Sequence, residues 1–208
     1  MHHDAILDAL EVETAPFSLC ELTPRGRLFM PRSPLASLHY VLSGSGSVHI
    51  TGQAVRPIGE GDLVLVPAAR SHFLAADEGA YVTVAECRPA ELGLSHHRPD
   101  VADSASAPMP VALVVLCAHV TLGLRGAGPV IDLLQSPLLE AQRDNPVADR
   151  ALALMIDELV TPRLGGRAMV RTLLLECVID MLRRRMEGQD ASVAWGSLPC
   201  RIAACGRY

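Results

Sequence analysis

Residues 38–75 read LHYVLSGSGSVHITGQAVRPIGEGDLVLVPAARSHFLA, and this stretch decides the fold class. Two alternating apolar runs flank a Ser-Gly-Ser-Gly-Ser segment, which predicts a hairpin turn between two strands. Gly61 and Asp62 then favour a turn that opens an apolar strand, and Pro67 ends that strand. His72 begins the next strand, and we expect its side chain to point into the interior of a barrel.

The same texture extends over residues 14–125, where short apolar or alternating runs recur between Gly, Pro and Ser. Regularly spaced strands of this kind predict an all-β sandwich or barrel. Residues 88–110 are polar and rich in Pro and Ser, and they predict a long loop. The predicted strands are Phe17–Leu22, Arg27–Met30, Leu38–Leu42, Gly46–Thr51, Leu63–Val66, Ser71–Leu74, Val82–Glu86 and Val111–Leu122.

Helical periodicity appears at the two ends of the chain. Residues 1–13 predict a short helix. Another short helix, broken at Pro137, is predicted from the spacing of Ile131, Leu133, Leu134, Leu138 and Leu139. Two longer helices are predicted at Val147–Val160 and Arg167–Met186. The second of these carries apolar residues on more than one face, so we expect it to contact the barrel and a second copy of the chain.

Composition excludes several classes of function. The chain has 208 residues, a formal net charge of −5 and only 3% aromatic residues, and all 18 of its basic residues are arginine. A lysine Schiff base and the lysine of a phosphate-binding loop are therefore excluded. The acid excess and the scarcity of aromatics argue against nucleic-acid binding through this chain.

The same sequence favours a cytoplasmic protein without a membrane span. No apolar run approaches the roughly 20 residues that a membrane helix needs, and the acidic N-terminus lacks the layout of a signal peptide. Six scattered cysteines form no CxxC pair, so reduced and buried thiols are expected.

The order of turn, strand, Pro and His resembles the cupin fold. The second cupin motif is Gly, five residues, Pro, one residue, Gly, two residues and His; Gly61–His72 matches it except that Ala69 replaces the second glycine. In the first cupin motif the metal ligands are two histidines and a glutamate. Their places fall near Met30, Arg32 and Ser37, so the usual metal site is absent. This counts against a metal-dependent cupin enzyme, which is the alternative reading.

A narrower resemblance covers residues 4–187. The segments ILDALEVETAPFSLCEL, LHYVLSGSGSVHI, GDLVLVPAARSHFLA and VALVVLCAHVTL, followed by Ser136–Leu139 and two helices, look like the N-terminal domain of AraC-type transcriptional regulators. The resemblance implies a mainly β protein, with a jelly-roll-like cupin β-barrel at 1–128 that includes the short N-terminal helix. A C-terminal helical pair at 129–187 and an irregular tail at 188–208 follow.

The same resemblance implies a function and partners. It implies that the barrel senses a small effector and that the C-terminal helices form a homodimer. DNA would be contacted only through a helix-turn-helix domain, which is expected to be missing from this chain. Whether the chain is a fragment, a truncated gene product or a stand-alone domain is left open.

Four residues are predicted to line the effector site: His39, Tyr40, His72 and Arg70. Strand alternation places His39 on the face of the lost glutamate position, near His72. Its alternative role is that of a core histidine bonded to backbone. Arg70 suits an anionic effector because arginine binds carboxylates in bidentate fashion, and its alternative is a solvated loop residue.

A zinc site is a further expectation, formed by Cys20, His39, His72 and Cys117. Thiolate and neutral imidazole are good zinc ligands, and His119 shares a predicted strand face with Cys117. The alternative for both cysteines is compact apolar packing. There is no GxSxG, no HExxH and no GxGxxG after a strand, so no catalytic residue is predicted and an enzyme is not expected.

Overall fold

Alternating burial along short strands, as in a sheet with one face inward, runs through much of the chain. The computed structural model describes residues 5, 7–14, 17–76, 83–86, 95–97, 110–125, 138–141, 146–161 and 163–188. Its elements are β1 (Leu10–Thr14), β2 (Ser18–Leu22), β3 (Gly26–Met30), β4 (Ala36–Ile50), β5 (Arg56–Gly59), β6 (Asp62–Val66), β7 (His72–Ala75), β8 (Thr83–Glu86), β9 (Ser95–His97), β10 (Leu113–Leu124), β11 (Leu138–Ala141), α1 (Pro146–Val160) and α2 (Gly166–Gly188).

Two sheets share the long strand β4. The first sheet has the order β9-β2-β10-β4-β6-β11, with β1 also paired to β10, and the second has the order β8-β3-β7-β4-β5. The hairpin turn predicted at Ser43–Ser47 is therefore wrong, because β4 continues through it from one sheet to the other. Gly44 makes this possible: its φ is +85°, and a Cβ there would overlap the carbonyl oxygen of Ala112.

The mainly β fold with two C-terminal helices is confirmed. Inside the barrel, one cluster joins the inward faces of both sheets, and a second cluster joins the outer face of the first sheet to the helices. Interior members include Leu28, Met30, Val41, Val48, Ile50, Val64, Leu74, Leu113 and Val115. Members of the helix-facing cluster include Leu38, Leu65, Leu116, Ala118, Leu152, Met155, Leu174 and Cys177.

Three predicted elements differ from the structure because strand pairing overrides local periodicity. Of the helix predicted at 1–13, residues 5, 7 and 8 are helical, but Leu10–Thr14 is a strand paired with β10. Of the short helix predicted from Ile131 to Leu139, the described Leu138 and Leu139 belong instead to a strand, Leu138–Ala141, paired with β6, and its earlier residues lie outside the described residues. The loop predicted at 88–110 contains Ser95–His97, which pairs with β2, and most of its other residues lie outside the described residues.

Both long helices are confirmed, but the apolar surface of α2 is used differently from the prediction. α2 packs against α1 and β1, and its apolar stripe is buried within the chain itself. That stripe comprises Val170, Leu173, Leu174, Cys177, Val178, Met181 and Leu182. Burying a Leu or Val side chain is worth roughly 1.5–3 kcal/mol, so this stripe holds the helices on the barrel. The stripe is therefore buried within the single chain, and dimerisation through the C-terminal helices stays a prediction. Among the described residues, neither helix has the length and hydropathy of a membrane span.

The cupin-like turn explains its own departure from the expected motif. Ala69 stands where the motif has its second glycine, and its φ is +60°, in the left-handed region. Its amide donates a hydrogen bond of 2.8 Å to the carbonyl of Ser33, which fixes the loop between β6 and β7. The motif's glycine would meet this backbone requirement without strain, whereas alanine carries it at some cost. This loop delivers His72 to the start of β7.

Candidate functional site

His39 occupies the centre of β4, where it is paired on both sides within the first sheet. It lies opposite Cys117 on β10 and opposite Val64 on β6. Directly opposed residues share a face of the sheet, so the three side chains all point into the barrel. His39 is 1% exposed and Cys117 is 3% exposed. The inward orientation predicted for His39 is therefore confirmed.

His72 reaches the same place from the second sheet. It lies opposite Ile50 and Met30, two members of the interior cluster, and is 2% exposed. Its Nε2 atom lies 2.8 Å from Nε2 of His39, and the two rings meet edge to face with centroids 5.0 Å apart. The two imidazoles thus connect the two sheets across the interior. The inward orientation predicted for His72 is also confirmed.

One assignment of the ring protons satisfies these contacts with uncharged side chains. A backbone carbonyl only accepts, so the long 3.4 Å contact to the carbonyl of Arg70 places the proton of His72 on Nδ1. Neutral His72 then accepts at Nε2 from the Nε2–H of His39. His39 in turn accepts at Nδ1, where the Sγ of Cys117 lies 3.1 Å away and its S–H donates. This assignment leaves all three side chains uncharged.

Burial favours the same uncharged state. Loss of solvent around His39 is the largest cause that lowers its pKa well below 6.5, followed by repulsion from His72 and His119. His39 is consequently neutral near neutral pH.

The donor set does not fit a metal ion. His39 presents opposite sides of its ring to Cys117 and to His72, so the sulfur and the second imidazole do not converge on one point. Two nitrogens bound to one tetrahedral zinc would also lie about 3.3 Å apart rather than at hydrogen-bond distance. Across the described residues, no group of three or more His, Cys, Asp or Glu side chains is placed to hold a metal.

The residues predicted for zinc are therefore close together without forming a ligand cage. Cys20 lies opposite Val115 on the inward face. It is two residues along β2 from the position that pairs with Cys117. Its thiol belongs to the interior cluster together with that of Cys117. Zinc itself stays a prediction, which analysis of the purified protein for metal decides.

The structure separates the predicted effector residues. His39 and His72 meet, but Tyr40 is adjacent to His39 in a strand and so faces the opposite side. Tyr40 packs half-buried against the helix-facing cluster, and burial, followed by Asp149, raises the pKa of its phenol. The placement of Tyr40 in the barrel lining is thus wrong, and Arg70 is exposed on its loop. Their roles in effector binding stay predictions.

His119 is a further inward-facing residue, which the sequence analysis named only because it shares a strand face with Cys117. It lies two positions after Cys117 on the same face of β10 and opposite Ser37. Its Nδ1 atom is buried and, within the described part of the chain, has no hydrogen-bond partner. The i, i+2 spacing from Cys117 signals their common face, but only the fold shows that this nitrogen is buried.

Comparison with known proteins assigns a family to this barrel. The family model described as "Cupin" matches residues 4–187. Among solved structures, the chain is similar to ToxT of Vibrio cholerae bound to an unsaturated fatty acid, at 9% identity and a TM-score of 0.36, over 94% of this chain and 62% of that one. It is also similar to apo ToxT, at 8% identity and a TM-score of 0.38, over 84% and 55%.

A third similar structure is an enzyme, the DMSP lyase DddQ of Ruegeria pomeroyi, at 15% identity and a TM-score of 0.24. It aligns over 62% of this chain and 42% of that one. The chain spans less than two thirds of each of these three structures. At these scores the similarities carry no functional argument. No curated protein sequence matches the chain.

Proposed function

The chain belongs to the cupin family, and from that premise we propose that it is the effector-sensing and dimerisation domain of an AraC-like transcriptional regulator in the cytoplasm. In this proposal the domain has no catalytic activity of its own. It binds a small molecule inside the barrel and passes the signal to the helices. In the regulator, a separate helix-turn-helix domain binds DNA.

The observation that carries the proposal is that β4 and β10 each contribute side chains to both faces of the first sheet. Their inward residues include His39 and Cys117, which contact each other at 3.1 Å. Their outward residues include Leu38 and Leu116, which belong to the cluster formed with the helices. Because neighbours in a strand are covalently linked and face opposite ways, a ligand that displaces His39 also moves Leu38 under the helices.

Tyr40 gives this route a polar contact point. It follows His39 directly, packs against the helix-facing cluster and feels the charge of Asp149 on α1. In the proposal, effector binding in the barrel changes how Tyr40 and Leu38 support α1 and α2. Such coupling exists only if the ligand binds the two arrangements with different affinity, and a coupling free energy of about 1–3 kcal/mol corresponds to a 5- to 150-fold difference.

The dimer contact is proposed on a different surface from the one that the sequence favours. The apolar stripe of α2 is buried in its own chain, whereas several large apolar side chains of α1, of the α1–α2 connection and of the first turn of α2 are exposed. They are Val147, Leu154, Val160, Leu164 and Met169. Apolar residues grouped around one helical hairpin are typical of a protein–protein contact.

The experiment joins ligand binding in the barrel to a change at the helices. A thermal-shift screen over small metabolites and metal ions first identifies compounds that raise the melting temperature. Hydrogen exchange is then measured with and without each compound. We expect altered protection in α1 and α2 as well as in β4 and β10, and a compound that protects only the barrel strands would contradict sensing.

Matched variants locate the binding site and the dimer contact. His39→Leu is expected to weaken the response to the compound, whereas His49→Leu on the same strand but the outer face of the second sheet is expected to leave it unchanged. Sedimentation of Leu154→Arg against the parent chain tests the dimer, since a charge in an apolar contact disfavours association. Turnover of a compound with a bound metal would support the cupin enzyme instead.

A further inference from the structure

Neighbouring side chains inside the barrel supply a thiol nucleophile, an imidazole that accepts its proton, and a buried nitrogen that has no hydrogen-bond partner among the described residues. We propose that Cys117 captures an uncharged α,β-unsaturated carbonyl compound as a covalent adduct, so that the effector class is a soft carbon electrophile. The proposal deepens the sensing function above and rests on it. Its geometry comes from Cys117, His39, His72 and His119.

The thiol of Cys117 has a base in place. Its Sγ lies 3.1 Å from Nδ1 of His39, and the other nitrogen of His39 is held at 2.8 Å by His72. A nucleophile within hydrogen-bond reach of a base, which a third group orients, is the arrangement of activated thiols and hydroxyls. Because His39 is uncharged, it takes the thiol proton as sulfur attacks and does not require a thiolate to persist in the apolar barrel.

His119 supplies a group for the carbonyl oxygen of the electrophile. It follows Cys117 by two residues on the same strand face, which places the two Cα atoms about 6.7 Å apart. Its Nδ1 is buried and has no hydrogen-bond partner in the described part of the chain. A sulfur–carbon bond, the three-carbon span of an enone and one hydrogen bond together bridge a distance of this order.

The surroundings select the class of electrophile. Cys117 is 3% exposed and lies among apolar residues such as Val41, Val115 and Leu113, so a reagent reaches it only by entering this cluster. Charged reagents are disfavoured there because burial of an unpaired charge is costly. Acyl transfer requires a leaving group to depart and water to enter, whereas conjugate addition requires neither.

The addition balances without a further reactant. The S–H proton passes to Nδ1 of His39 while sulfur forms a bond to the β-carbon of the enone. The electron pair of the C=C bond moves towards the carbonyl oxygen, which His119 stabilises by donating from Nδ1. The proton then returns from His39 to the α-carbon, so that the product is a saturated carbonyl compound linked to Cys117 by a thioether.

Cys177 is a matched internal comparison for this reactivity. It is also buried, but it lies on α2 in the helix-facing cluster, and burial raises the pKa of its thiol to about 12. The absence of lysine from the chain also removes the amines that most often react with carbonyl probes. Peptide mapping therefore compares two buried thiols, of which one has an imidazole base.

The test exposes the full chain to oct-3-en-2-one, or to saturated octan-2-one as the control, and follows adducts by mass spectrometry. By peptide mapping we expect an enone adduct on Cys117 and none on Cys177, and no adduct on Cys117 from the saturated ketone. His39→Gln is expected to slow the addition about 100-fold. His119→Leu is expected to slow it by a similar factor, and His119→Gln, which keeps an N–H donor, is expected to restore most of the rate.

Three outcomes overturn the proposal. They are the lack of an adduct at Cys117, modification of Cys177 as fast as Cys117, and an unchanged rate at Cys117 in both His39→Gln and His119→Leu. His49→Leu controls for general loss of an imidazole and should react at the parent rate. Should His39→Gln fail to fold, the partly exposed His119 pair still decides the result.

The same samples separate this proposal from the sensing function. An adduct at Cys117 without altered hydrogen exchange in α1 and α2 would retain covalent capture and refute sensing. Lack of any adduct, together with helix protection by a non-electrophilic metabolite, would refute capture and retain sensing.

Discussion

Replacing the two interior imidazoles separately and together tests the directed hydrogen-bond chain. His39→Leu leaves the Nε2 acceptor of His72 and the thiol of Cys117 without this partner inside the barrel. His72→Leu leaves the Nε2–H donor of His39 without an acceptor. A buried polar group that loses its partner costs about 1–3 kcal/mol, so we expect each single variant to lose about 2–4 kcal/mol in free energy of unfolding.

The double variant removes both imidazoles, so neither is left as an unpaired polar ring. Leucine has a similar size and suits an interior already lined by Val64, Ile50 and Met30. We therefore expect the double variant to be at least as stable as the less stable of the two single variants. That result corresponds to a coupling free energy of at least about 2 kcal/mol between His39 and His72, because the double variant then loses less than the sum of the two single losses by at least the smaller of them.

The assay is urea unfolding at neutral pH followed by circular dichroism, with identical slopes required of all variants. The control is His49→Leu, because His49 lies on β4 as well but is only partly buried; it contacts Ser47 and stacks on Phe73. We expect it to change stability by less than about 1 kcal/mol. Additive losses for His39→Leu and His72→Leu would refute the reasoning, because additivity means that the two rings do not depend on each other.

Four further predictions follow from particular residues. Ala69→Gly should raise the free energy of unfolding by about 1 kcal/mol in urea titrations, because Ala69 has a φ of +60°. Gly46→Ala should destabilise by about 1–3 kcal/mol in the same assay, since a Cβ there would overlap a backbone carbonyl; Gly123→Ala, with nothing near its Cβ, should be neutral or slightly stabilising. The folded pKa of His39 lies below the unfolded value of 6.5, so its contribution is complete above that pH and is lost as pH falls towards the folded pKa. Thermal melts between pH 6.5 and the folded pKa should show a melting temperature that falls as the pH falls. The double variant His39→Leu/His72→Leu should show a smaller fall over the same range. Dialysis against a chelator should leave the melting temperature unchanged, because no described group of donors fits a metal; a clear drop would contradict this reading.

Much of the fold could be predicted from the sequence because it depends on local patterns of apolar and polar residues. Alternating apolar runs gave most strands, and helical spacing gave α1 and α2 within two residues of their ends. Three predictions were wrong for a common reason: the end of the N-terminal helix, the Ser43–Ser47 turn, and the described end of the helix around Leu138. In each, strand partners distant in sequence, β10, β7 and β6, decide the conformation.

The candidate site divides in the same way. The motif placed His72 at the start of an inward strand, and alternation placed His39 on the inward face. The 2.8 Å contact between them, and the 3.1 Å contact to Cys117, depend on how two sheets close on each other. The outward position of Tyr40 was implicit in alternation, but its burial beneath the helices was not.

Sequence alone therefore determined the class of the fold, the inward histidines and the absence of lysine chemistry, because these depend on residue type and on a period of two or 3.6. Only the tertiary structure decided that β4 belongs to both sheets, that the stripe of α2 is satisfied within its own chain, and that Cys117, His39 and His72 form one hydrogen-bonded chain. Each of these depends on strand register and on distances between residues far apart in sequence. Those quantities are fixed when the barrel closes, because strand register decides which side chains face each other across the interior.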